Sequence, residues 1–151
     1  MINIQIRDDY KKDVSVESII SATKITFAYF NLPENLEITI VIENNKLLQE
    51  LNYKYLGINS PTDVLSFKLG EDINEGSNLY LGDIVISFPM AQEQSLKNHD
   101  VNCEIQLLVI HGILHLLEFD HVTEKEQKTM WKNQLDILAL LNSPIKEISP
   151  K

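Results

Sequence analysis

The stretch Ile105-Gln106-Leu107-Leu108-Val109-Ile110-His111-Gly112-Ile113-Leu114-His115-Leu116-Leu117-Glu118-Phe119-Asp120-His121 decides how this chain folds. From Ile105 to Leu117 apolar residues fall on nearly every face of a helix. Such a helix is buried on all sides and belongs at the centre of a domain. His111 and His115 are four residues apart, so they leave that helix from one face. His121 follows six residues later, far enough for the chain to leave the helix and turn back. Three of the chain's four histidines fall in this one window.

Burying imidazoles among leucines is costly unless each finds a partner, and a single metal ion satisfies three at once. A lone pair at i and i+4 reads more readily as core histidines bonded to carbonyls than as a metal site. The third histidine, preceded by Asp120, turns the reading to a metal site on His111, His115 and His121. Three neutral imidazoles leave a fourth tetrahedral position for water, as in catalytic zinc sites, whereas a closed structural site needs a fourth protein ligand. Imidazole also suits nickel, copper and iron, so one zinc ion is the expectation rather than a deduction.

The 151 residues suffice for one domain with a sizeable core, and 44% hydrophobic with 23% charged residues is ordinary for a globular protein. No apolar run reaches the ~18–20 residues that span a bilayer, and the start, Met1 to Arg7, alternates like a strand rather than a signal peptide. With Cys103 as the single cysteine there is no intrachain disulfide and no cysteine-ligated zinc finger, and a cytoplasmic setting is expected. A net charge of −9 with one arginine, Arg7, argues against a general nucleic-acid binder, and no DNA or membrane partner is expected. Lys125, Lys128 and Lys132 recur at helical spacing and read as a local basic strip or as a solvated face.

Working outward, Ile2, Ile4 and Ile6 alternate as a half-buried strand. Asp13 or Ser15 can cap a helix with Val16, Ile19, Ile20, Thr23, Phe27 and Phe30 on one face, ended near Pro33. Leu36 to Glu43 is a β-branched strand, and Asn44 or Asn45 caps a short helix bearing Leu47, Leu48, Leu51 and Tyr55. Val64 to Phe67 and Leu79 to Phe88 read as strands, with an exposed acidic connection over Gly70 to Asn78. Helices are expected over Pro89 to Asn98, from an Asp100 cap, and from Thr123 through Leu141. The order predicts an α/β (α+β) fold: a small mixed four-stranded sheet packed with about five to six helices, the central buried helix carrying the metal ligands. Residues 1–142 would form one domain and 143–151 a loose C-terminal tail.

The histidine spacing is that of metzincin proteases, but those use a glutamate after the first histidine as general base, and here Gly112 stands there. A peptidase is therefore disfavoured. The chain more closely resembles the YbeY family of bacterial endoribonucleases. The match is carried by His111-Gly112-x-Leu114-His115-Leu116-Leu117-x-Phe119-Asp120-His121, by Leu51-Asn52 with Pro61-Thr62-Asp63-Val64-Leu65-Ser66-Phe67, and by Leu81-Gly82-Asp83-Ile84-Val85-Ile86-Ser87. The resemblance implies a small metalloprotein that cuts single-stranded RNA, with zinc on His111, His115 and His121. It also implies a role in maturing the 3′ end of small-subunit rRNA and in ribosome quality control, with rRNA and the small subunit as partners.

Two positions depart from the family. Leu56 stands where an arginine following tyrosine is usual, and Glu118 where the family has glycine. Glycine would let the helix end in a left-handed turn; a glutamate must spend ~1 kcal/mol or more to do so, or the chain turns differently. Glu118 reads either as an outer partner or base for the histidines or as a surface carboxylate at a helix end.

Asp120 would orient a histidine or brace the turn, or is an exposed loop residue. Zinc would lower the pKa of water at its open position towards ~7. Whether that water or the ribose 2′-hydroxyl attacks is left open by the sequence. With Leu56 uncharged, Lys54 or Lys68 is the candidate cation for the charge-rich transition state. The candidate catalytic residues are thus His115, Ser66 and Lys68, with Asp83 read as structural. The rival function is a metal-binding, ribosome-associated factor with little or no nuclease activity.

Overall fold

Isoleucines at every second position of Leu36–Glu43 put Ile38, Ile40 and Ile42 on one face of a strand, where all three are buried completely. A computed structural model describes residues 1–68, 79–96 and 99–148. Its strands are β1 (Ile2–Ile6), β2 (Leu36–Glu43), β3 (Val64–Phe67) and β4 (Leu79–Ser87). They form one mixed sheet in the order β1-β2-β4-β3, parallel except for the β3–β4 pair. The α-helices are α1 (Val16–Tyr29), α2 (Asn45–Leu56), α3 (Phe88–Ser95), α4 (Val101–Leu116) and α5 (Glu124–Leu140). This is the mixed sheet and helix complement that the sequence predicts.

The sheet is covered on both faces. The larger core joins Ile38, Ile40, Ile84 and Ile86 to α1, α3, α4 and α5; a smaller cluster of Leu48, Leu65 and Val85 lies under α2. α4 touches α1, α3, α5, β3 and β4, so its all-round hydrophobicity is matched by neighbours on every side. In β3, Ser66 pairs with Ile84 of β4 and shares its face, while Leu65 and Phe67 belong to the opposite one.

Side-chain caps set the helix starts. Ser15, Asn44, Ser87, Asp100 and Thr123 each accept a backbone N–H from the first turn that follows. Capping by Ser87 ends β4 and starts α3 at Phe88, a residue earlier than expected. That helix runs to Ser95, and residues 97–98 of its expected span lie outside the described residues. The connection read over Gly70 to Asn78 also lies outside them.

Three expectations need correction. The buried face of α1 is Ile19, Ala22, Thr23 and Thr26, and Val16 is exposed. Thr23 and Thr26 can be buried there because their hydroxyls donate to the carbonyls of Ile19 (2.8 Å) and Ala22 (2.7 Å). On α2, Tyr55 is exposed and Asn52 is buried instead, where its amide donates to the Ser60 carbonyl (3.0 Å). In the tail, Ser143 and Ile145 are buried and Ile148 packs on the core, so residues 143–148 are docked rather than loose, while residues 149–151 of the expected loose tail lie outside the described residues. Apolar residues spaced by three in a short polar tail gave too weak a pattern to read as core.

Candidate metal centre

His111 and His115 leave consecutive turns of α4, and the turn after the helix brings His121 back to them. Leu117 is the C-cap, Glu118 is left-handed with φ 73°, and two reversed hydrogen bonds close the end. Glu118 N–H donates to His115 O (2.9 Å) and Phe119 N–H to Leu114 O (3.0 Å), the Schellman pattern normally built on glycine. Glu118 thus adopts the backbone that glycine would take at less cost. Asp120 braces the next step: its Oδ1 accepts the His121 backbone N–H at 2.7 Å.

The outcome is a cluster whose ligand atoms lie within 4.8 Å of one another. Ring centroids are 4.5 Å apart for His111 and His115, 5.6 Å for His111 and His121, and 5.3 Å for His115 and His121. His111 Nε2 and His115 Nε2 are 3.0 Å apart. Two nitrogens bound to one zinc in tetrahedral geometry stand about 3.3 Å apart, so a small opening suffices to admit an ion. The outer sides of both rings are engaged. His111 Nδ1 lies 2.7 Å from Gln134 Oε1, and the His115 ring hydrogen-bonds the Phe119 backbone. With His111 Nδ1 turned to Gln134, its Nε2 faces His115 Nε2, where one cation would take the lone pairs of both. Three convergent imidazoles of this kind fit a metal ion.

The electrostatics favour the neutral form of His111 and His115. Burial, reinforced by His115, holds His111 down at about 4. His115 is lowered too, chiefly by burial and then by His121. A neutral imidazole is the ligating form. The fourth histidine, His99, is engaged with Glu104 (Nε2 to Oε1, 2.8 Å) and stands outside the cluster.

Gly112 explains why no glutamate follows His111. A Cβ at Gly112 would stand 2.9 Å from Ile84 Cδ1 and 3.0 Å from its Cγ2, so α4 lies directly on β4 at that point. The same place carries a polar tie, Ser66 Oγ donating to the Gly112 carbonyl at 3.1 Å.

The histidines open into a cleft of about 560 Å³ whose lining includes Leu56, Asp63, Ser66, Lys68, Trp131 and Gln134. Ser66 and Lys68 therefore share the cleft with His115. Lys68 Nζ also pairs with Glu118 Oε1 at 2.9 Å, and Glu118 is strongly exposed. Leu56 lines the cleft as an apolar, exposed side chain. Lys54 turns onto the Tyr55 ring instead, 5.2 Å from its centre, and is not part of the lining. Asp83 accepts a hydrogen bond from the Tyr80 hydroxyl within the sheet, a structural role. Lys128 and Lys132 pair with Glu124 and Asp136 one turn away on α5, as a solvated face does.

Three lining residues escaped the sequence reading. Asp63 sat inside a quoted motif, and Trp131, the chain's single tryptophan, lay in the last helix with no motif around it. Gln134 carried a usable signal: Met130, Gln134, Ile137 and Leu138 form one helical stripe, in which Gln134 is the lone polar residue.

A family description, Endoribonuclease YbeY, matches residues 2–142. The chain is 37% identical over 142 residues to the Endoribonuclease YbeY of Geobacillus kaustophilus, spanning 87% of this chain and 91% of that one. It is 39% identical over 143 residues to that of Caldicellulosiruptor saccharolyticus, 87% and 90% of the two chains. With that of Thermoanaerobacter sp. the identity is 35% over 154 residues, 93% and 97%. A solution structure of a Thermotoga maritima protein shares the fold, with a TM-score of 0.57, 24% identity and coverage of 99% and 97%.

Proposed function

The chain belongs to the YbeY endoribonuclease family, and we propose on that premise that it is a metal-dependent endoribonuclease acting on single-stranded RNA. The observation that carries the reading is the cluster of His111, His115 and His121 at the floor of an open cleft. When bound there, zinc would supply Lewis acidity and a water activated at neutral pH. The remaining work falls to the chain. His111, His115 and His121 hold the ion. Lys68 places the cleft's positive charge beside the histidines. Ser66 ties β3 to α4 and keeps its hydroxyl at the cleft wall. An RNA strand unpaired over a few nucleotides can lay one phosphate into the cleft. A rigid duplex cannot bend its backbone in without paying to open.

The family supports the finer assignment as well: maturation of the small-subunit rRNA 3′ end, on or near the ribosome, in the cytoplasm. Among the described residues no helix is long and apolar enough to cross a membrane. The rival, a metal-binding ribosome-associated factor without nuclease activity, is not favoured by the relatives' activity. End-labelled single-stranded RNA, incubated with zinc-loaded protein and with His115→Ala, separates the two. Cleavage by the first and not the second is the expected result. Equal, background-level products from both would overturn the nuclease.

A further inference from the structure

Gln134 is wholly buried, in a stripe where leucine or methionine would fill the space more cheaply. Its carbonyl Oε1 is 2.7 Å from His111 Nδ1, while its amide Nε2 has no partner among the described residues. A buried primary amide with half its hydrogen bonds unmade is costly. The one bond it does make bears directly on the histidine cluster. An imidazole has one proton to place. With Oε1 as acceptor that proton stays on Nδ1, and Nε2 presents a lone pair towards His115 and His121. If the amide were turned over, its NH2 would donate to Nδ1. The proton would then sit on Nε2, facing the other two rings and blocking an ion.

We propose that Gln134 is a positioning residue that selects the His111 tautomer competent to hold a metal. The inference rests on the metal-dependent reading of the site and adds a residue outside the ligand set. A carboxylate could do the same, since it only accepts; an aliphatic side chain could not.

Long-range ¹H–¹⁵N correlation spectra of the wild-type protein in chelator at neutral pH test it without any substitution. The expected pattern for His111 is a protonated Nδ1 and a bare Nε2; a protonated Nε2 would overturn the proposal. Cobalt(II) titration, read by the absorption of the tetrahedral ion, supplies the second arm. Gln134→Leu is expected to bind about 10–100-fold more weakly than wild type, and Gln134→Glu to bind near wild type. Equal affinity of wild type and a Gln134→Leu protein that keeps its circular dichroism spectrum would also overturn it. A wild type that binds no cobalt would sink the metal reading itself, and the tautomer spectrum would still decide the role of Gln134.

Discussion

Lys68 Nζ lies 2.9 Å from Glu118 Oε1, joining the end of β3 to the left-handed residue that closes α4. The two residues are 50 positions apart, and both belong to questions that the sequence raises separately. Glu118 takes a left-handed backbone that glycine would hold at less cost, and Lys68 lines the cleft beside the uncharged Leu56. Their pairing means that the charge available to a phosphate in the cleft is shared with a carboxylate. Both groups are exposed, so the pair itself contributes at most ~1 kcal/mol to stability. A phosphate entering the cleft can therefore compete for Lys68.

Lys68→Ala should lower cleavage of single-stranded RNA by about tenfold or more while leaving cobalt affinity unaltered, because Lys68 bonds to Glu118 and is outside the ligand set of His111, His115 and His121. Cleavage at the wild-type rate would remove Lys68 from the site and leave the leaving charge to the metal alone.

At position 118 the order of stability should be inverted relative to a helix interior. Glu118→Gly and Glu118→Ala lose the same ion pair, but only alanine must hold φ near 73°. The glycine variant is expected to be the more stable by about 1 kcal/mol in urea unfolding. An alanine variant equal to or above the glycine one would mean that the turn relaxes.

Gly112→Ala should destabilise by about 1–3 kcal/mol, since its Cβ would meet Ile84, which is fully buried on β4. Ile84→Val removes Cδ1, the nearest of the contacting atoms, and in the double variant should return part of the loss. Additive losses in the double-mutant cycle would contradict the contact.

Acid should weaken the metal-free protein through His111. Its folded pKa is about 4 against 6.5 for the free group, so the native state favours the neutral ring. Between those values the unfolded chain binds more protons. The associated stability, about 3 kcal/mol, is complete above pH ~6.5 and lost as pH falls towards ~4. His115 is displaced in the same direction. Urea unfolding in chelator, wild type against the non-titrating His111→Gln, measures the effect. A gap between the two proteins that stays constant across that range would rule it out.

Much of this molecule is legible along the chain. Alternating isoleucines in β2 mark one buried face, and the unbroken apolar run of α4 marks the centre. Serine, asparagine, aspartate and threonine caps mark helix starts to within a residue, because capping is a local hydrogen bond. The three histidines are recognisable because metal-ligand spacing on a helix and its following turn is likewise local.

What joins distant segments is not written in any window. That Gln134 abuts His111, that Lys68 reaches Glu118, and that Ile145 and Ile148 return to the core all depend on how α4, α5 and β3 pack. Residue type and period dictate which side chains leave each element together. Only the packed elements decide which of those side chains meet, because contacts between elements are set by helix placement on the sheet and not by neighbours in sequence.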